Sequence, residues 1–207
     1  MKRLASMVLL ALALPIAALA NSVDFTNSHG TLSGSSAGLS LSGSTLIAAK
    51  GPGGLITGDL GTLTFSTGAL SRGNLQAGAT FAGGGSFVIT GNGTSGIPNA
   101  VIFTGSFSGP VTWTLIPLSN GTNNYTLTGS LSGTWFTGQT VNAATVQLTV
   151  NAGKGFFNGS TMLSSGDTNM TGSGLRLTTT TPEPSSMIFF GTGLVSIAGM
   201  LRYKWKR

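Results

Sequence analysis

The sequence predicts an all-β protein: a Gly/Ser/Thr-rich antiparallel β-sandwich or barrel-like body, with a β-solenoid as the alternative, flanked by an N-terminal signal peptide and a single C-terminal transmembrane helix. Three observations carry this. Apolar residues in the middle of the chain recur two apart, which is the period of a half-buried strand. Gly and Asn clusters punctuate those runs at short intervals, and each end of the chain pairs an apolar run with basic residues.

The first element is residues 1–20. Lys2 and Arg3 precede an apolar run, Leu4 to Leu19, that closes on Ala18-Leu19-Ala20 before Asn21. A basic n-region, a short apolar h-region and an A-x-A step describe a secretory signal peptide, cut after Ala20 by a signal peptidase that reads Ala18 and Ala20. Pro15 and the small residues suit a peptidase groove better than an uncleaved anchor helix. The expected carrier is the Sec export machinery.

Residues 21–181 form the predicted β-rich body. Val111, Trp113 and Leu115 alternate with Thr112 and Thr114; Tyr125, Leu127 and Leu131 alternate with Thr126, Thr128 and Ser130; Val146, Leu148 and Val150 alternate with Gln147 and Thr149. Further strands are expected over Leu39 to Ala48, Gly61 to Ser66, Ser86 to Thr90, Ala100 to Phe107 and Gly174 to Thr178. Turns are expected at Gly51-Pro52-Gly53-Gly54, Gly83-Gly84-Gly85, Gly91-Asn92-Gly93, Gly109-Pro110, Asn120-Gly121, Asn158-Gly159 and Ser165-Gly166-Asp167, because Gly and Asn tolerate the positive φ of tight hairpins. Repeated Ser/Thr-Gly steps favour the solenoid, but no fixed period supports it. Glycine-rich composition also suggests disorder for Asn27 to Ser44, so order is expected from about Leu60 onward. Phe81, Phe87, Phe103, Phe107, Trp113, Trp135, Phe136, Phe156 and Phe157 supply the expected core of one domain.

Residues 182–207 follow a polar run, Thr178 to Thr181, that reads as a spacer. Pro182-Glu183-Pro184-Ser185-Ser186 leads into an apolar stretch at 187–201 and the basic tail 202–207. Fifteen residues of helix span about 22 Å, short of the roughly 30 Å hydrocarbon core. Counting Ser185 to Tyr203 closes most of the gap, with Tyr203 and Trp205 at the interface. Arg202, Lys204, Lys206 and Arg207 anchor the topology, holding the tail in the cytoplasm and leaving the body outside. Prolines bias the preceding residues to extended backbone, so 182–184 offers a grip to a membrane-embedded protease.

This tripartite C-terminus resembles the PEP-CTERM sorting signal of Gram-negative bacteria that make exopolysaccharide. The resemblance covers about 26 residues, from Pro182 through Gly191-Thr192-Gly193-Leu194 to Arg207, and departs mildly where Tyr203 and Trp205 interleave with the basic residues. It implies an exosortase, an integral-membrane cysteine transpeptidase, that recognises Pro182, Glu183 and Pro184 and removes the helix and tail. The alternatives are a C-terminal anchor that stays attached and a glycolipid-type signal, though the latter ends without a basic cluster.

Composition limits the chemistry. The formal charge of +6 sits mainly at the ends; between them Lys50, Arg72, Lys154 and Arg176 face Asp24, Asp59 and Asp167. No basic stripe exists to follow phosphates, so no nucleic-acid partner is expected. Cys is absent and His29 is the single histidine. His29 with one of the three aspartates and a serine could form a hydrolase triad, but no Gly-x-Ser-x-Gly elbow backs it. Asp24 and Asp59 read as turn or cap residues, and Ser165 to Asn169 as a turn closed by Asp167 rather than a calcium site. The five Asn-x-Ser/Thr sequons, at Asn92, Asn120, Asn124, Asn158 and Asn169, match what so Asn- and Thr-rich a composition delivers. Trp113 and Trp135 read as core residues of alternating strands; exposed, they would stack on sugar rings.

The expected function is therefore a non-enzymatic structural component of the cell surface, biofilm or exopolysaccharide matrix, without cofactor or metal, passing through an inner-membrane intermediate on its way to the surface or the medium. A carbohydrate-binding or adhesive module is the alternative, and a secreted hydrolase the second alternative.

Overall fold

The structure, a computed structural model, describes residues 20–177. It is all-β apart from a 3-10 turn at Thr94–Gly96. The strands are β1 (Ala20–Ser28), β2 (Thr31–Ser35), β3 (Gly38–Gly51), β4 (Gly54–Ser66), β5 (Leu70–Asn74), β6 (Gly78–Phe81), β7 (Gly84–Gly91), β8 (Val101–Phe107), β9 (Val111–Pro117), β10 (Asn123–Trp135), β11 (Thr140–Asn151) and β12 (Ser160–Ser173).

Register shows that several of these are halves of one bent stave. β1 and β2 lie in one line, since Asn27 opposes Gly166 and Thr31 opposes Met162 on β12, while Ser28 opposes Thr45 and Thr31 opposes Ser42 on β3. The break between them is His29-Gly30, with φ of 60° and 82°. A side chain at Gly30 would collide with the Ser42 carbonyl at 2.6 Å, so the bend needs glycine there. β4 with β5, β6 with β7, and β8 with β9 join in the same way. Eight antiparallel staves result, each paired with the next in sequence, and β12 returns to β1. The body is thus a closed up-and-down barrel; a two-sheet sandwich and a solenoid do not describe it.

The interior is apolar and the exterior polar. In β11, Val141, Ala144, Val146, Leu148 and Val150 are buried while Thr145 and Gln147 are exposed. Eight staves leave an interior just wide enough for side chains to fill, and here aromatic rings fill it. Phe65 stacks on Phe87 at 6.0 Å, and Phe107 meets both edge-on. At one rim Trp113 stacks on Tyr125 at 5.0 Å, with Phe157 against both. The Trp113 indole N–H donates to the Leu75 carbonyl and the Tyr125 hydroxyl to the Gln76 carbonyl, so the β5–β6 turn is tied down over this mouth. At the other rim Trp135 packs with Phe25 and Phe136, its indole N–H donating to the Arg176 carbonyl, and Leu175 and Leu177 are buried there.

Several sequence expectations change. Order begins at Ala20 rather than near Leu60: Asn27 to Ser44 is strand, with Leu32, Leu39 and Leu41 buried. Ser165-Gly166-Asp167 lies inside β12, not in a turn, whereas Gly174 to Leu177 caps a barrel mouth instead of forming a strand. Gly83 to Gly85 and Gly109-Pro110 bend staves without reversing them. A missed reversal at Leu75 to Ala77 is set by Asn74, whose Oδ1 accepts the N–H groups of Gln76 and Ala77. Phe156 is 57% exposed in the β11–β12 loop and is not core.

A small polar cluster around Asn27 breaks the apolar interior. Asn27 is fully buried and donates to the Ser44 hydroxyl at 2.7 Å, and Ser44 donates to the Ser28 carbonyl at 3.1 Å. Gly166 makes room for it, since a Cβ there would strike Leu148 and Asn27. Thr168 is buried nearby, its hydroxyl without a partner among the described residues. A buried hydroxyl left unpaired costs about 1–3 kcal/mol. Thr168→Val is therefore expected to hold or raise stability by up to about 1 kcal/mol, while Gly166→Ala lowers it by about 1–3 kcal/mol through overpacking. Urea unfolding of the purified protein checks both; a clear loss from Thr168→Val would show that the hydroxyl is bonded.

Candidate functional site

The residues singled out for processing lie mostly beyond the described region. Ala18, Pro182, Glu183, Pro184, Arg202, Lys204, Lys206 and Arg207 are outside it, and Ala20 is its first residue, at the start of β1 opposite Ser173. Leu177 packs beside Gly51 and Val23. Because the staves alternate in direction and their number is even, the chain enters and leaves the barrel at the same rim.

The catalytic candidates are not brought together. His29 is exposed at the stave bend, and its Nδ1 lies 2.8 Å from the Ser28 hydroxyl. Asp167 accepts a hydrogen bond from Thr26 at 2.9 Å, Asp24 accepts one from Asn169, and Asp59 accepts from the Gly61 N–H and the Asn92 amide, both at 3.2 Å. Asp24 and Asp167 are thus outward-facing strand residues, not turn or cap residues, while Asp59 does stabilise an irregular stretch of β4. Among the described residues no cluster of three or more His, Cys, Asp or Glu side chains forms.

Nor do the tryptophans among the described residues form a platform. Trp113 and Trp135 are each 1% exposed, with both indole N–H groups turned to backbone carbonyls inside the barrel. The four midchain cations, Lys50, Arg72, Lys154 and Arg176, are exposed on separate elements.

What register does assemble is a polar furrow outside the barrel, crossing β9 to β12. One row runs Thr112, Thr128, Gln147, Asp167, each directly opposite the next, and continues to Thr26 on β1. A second row, two residues along each strand, runs Ser130, Thr145, Asn169 and continues to Asp24. Between the rows Gly129 and Val146 oppose one another and turn inward, so their backbone floors the furrow. Pro110, where β8 bends into β9, borders one side, and the furrow offers an open space of about 480 Å³. Asp167 and Asn169 are tied to β1, which fixes the β12 end of both rows. Thr112, Thr128, Ser130, Thr145 and Gln147 are exposed and spend no side-chain hydrogen bond on a described neighbour. Sequence reading missed this site. Its signal was the run of short polar residues at alternate positions of four strands, but only register puts them side by side.

Fold and surface define a class: a closed eight-stave antiparallel barrel, filled inside and polar outside, the inverse of the apolar-out pattern of membrane barrels. No family model matches the chain, and neither a curated protein nor a solved structure matches it.

In a Trp205→Phe variant, Trp113 and Trp135 are expected to give blue-shifted emission poorly quenched by acrylamide. Red-shifted, freely quenched emission would place an indole at the surface.

Proposed function

We propose that this chain is an exported, non-enzymatic structural protein of the cell surface or extracellular matrix, released from a membrane intermediate by exosortase processing at Pro182 to Pro184. The observation that carries this reading is the tripartite C-terminus: the Pro-Glu-Pro element, the apolar stretch 187–201 and the basic tail 202–207. The barrel supports it in two ways. Its outer face is mostly polar along the alternating strands, with single exposed apolar residues such as Leu55, Ile116 and Met162, as suits a body delivered into water. Both flanking segments depart from one rim, so a leader and a sorting tail held in the same membrane impose no crossing of the body.

Covalent geometry keeps the processing element near the barrel. Five residue steps separate Leu177 from Pro182, a reach of at most about 18 Å. The protease would therefore meet its target against the rim formed by Leu175, Leu177 and Trp135. Signal peptidase would act at Ala20 before that residue pairs with Ser173, because a residue in a ladder is not free to extend into a peptidase groove.

A second reading, a carbohydrate-binding or adhesive module, is favoured by the furrow. The hydrolase reading has no comparable support, since His29 and the aspartates are separately engaged.

Intact mass of the protein from cells with and without exosortase tests the sorting reading. A wild-type mass lacking both the leader and residues beyond the Pro182 to Pro184 region is expected, with the tail restored when exosortase is removed. Retention of Arg202 to Arg207 in wild-type cells would refute it.

A further inference from the structure

We infer that the furrow across β9 to β12 is a binding site for an extended, uncharged polysaccharide chain. This deepens the second reading above by giving it a place and a ligand class, and does not depend on how the C-terminus is processed.

Neighbouring strands lie about 4.8 Å apart, and outward residues two apart on one strand about 6.8 Å. The row Thr112, Thr128, Gln147, Asp167 therefore presents a polar side chain at every strand step, and Ser130, Thr145, Asn169 repeats that order on the opposite wall. A ligand matched to such a site repeats its own polar groups at a similar interval on both edges. An extended glycan does so, with hydroxyls on both edges of every ring and a ring repeat close to the strand step.

Chemistry excludes the other polymers. Asp167 is the one charged group lining the furrow and no cation joins it, so a nucleic acid or an acidic polysaccharide would meet repulsion without compensation. The walls carry Thr, Ser, Asn and Gln, and the apolar lining is limited to Pro110, Val146 and the carbon atoms of short polar side chains, with no apolar pocket to seat a lipid chain or a large peptide side chain. A peptide strand would need a free sheet edge, and each furrow strand is already paired on both sides. Hydroxyls and amides that both donate and accept suit a neutral polyol, and Asp167, held by Thr26, can accept from a sugar hydroxyl.

Without a stacked aromatic, affinity comes from many modest hydrogen bonds made against water. Binding should be weak for one sugar and grow with chain length, as behaves a protein that lies along a matrix polymer. Arrangement of the wall residues beforehand reduces the ordering cost; the Thr26 to Asp167 and Asn169 to Asp24 bonds fix the β12 end of each row in this way.

The test is native affinity electrophoresis of the purified full chain in detergent, through gels containing dextran, xyloglucan or galactomannan, with alginate as the acidic comparison. Retardation in at least one neutral gel is expected. A Thr128→Val, Thr145→Val, Gln147→Leu variant should lose at least about tenfold in affinity, the scale of three neutral hydrogen bonds. Thr62→Val with Thr64→Val, exposed on β4 away from the furrow, should leave retardation unchanged. Near-UV circular dichroism of the buried tryptophans confirms that each variant is folded. No retardation in any neutral gel overturns the inference, as does retardation confined to alginate or retardation that survives the triple variant.

Discussion

Antiparallel pairing of β1 with β12, from Ala20 opposite Ser173 to Asn27 opposite Gly166, joins the first strand of the body to the last. An open meander would expose two rows of unpaired N–H and C=O groups, a template for aggregation. Closure removes both edges and turns one face of every strand inward. The interior can then be packed with rings, and the chain needs neither disulfide nor metal to complete a core. With no cysteine available, the ladders and the aromatic packing carry the fold. Asn27 marks the seam: it is buried where β1 shifts register against β3, and its bond to Ser44 ties the closing strand to its neighbour.

The same seam sets the molecule's relation to its flanking segments. An even number of staves places entry and exit at one rim, and eight is even. Had closure used seven or nine, the two flanking segments would leave from opposite rims. The seam also completes the furrow, because β1 supplies Thr26 and Asp24, the partners that hold Asp167 and Asn169. Fold, exit geometry and candidate site thus depend on one strand pairing.

That strand was the hardest to read. β9, β10 and β11 are legible because each holds a run of large apolar inward residues at a period of two: Val111 and Trp113, Tyr125 and Leu127, Val146 and Leu148. In the first stave the period changes phase, with Val23, Phe25 and Asn27 inward before the His29-Gly30 bend and Leu32 inward after it. β3 shifts phase twice more, between Leu41 and Ser44 and between Leu46 and Ala48. Such bulges restart the alternation, and a run of small residues then resembles disorder. β12 hid for another reason. Its inward positions include Thr168 and Gly166, the latter leaving room for Asn27 and Leu148, so the strand carried a turn's composition. The furrow was illegible because facing residues are decided by register, and bulges decide the register.

The absence of native cysteine makes closure directly measurable. Ser22 and Thr171 are opposite partners on β1 and β12, and both side chains point outward. Cysteines placed at both positions lie within reach of a disulfide. Mild oxidation of that double variant should give an intramolecular disulfide, seen as a faster-migrating monomer, as readily as a control pair at Thr126 and Thr149 within the β10–β11 hairpin. If the control pair oxidises while the Ser22 and Thr171 pair stays reduced or forms only dimers, the barrel is not closed as described.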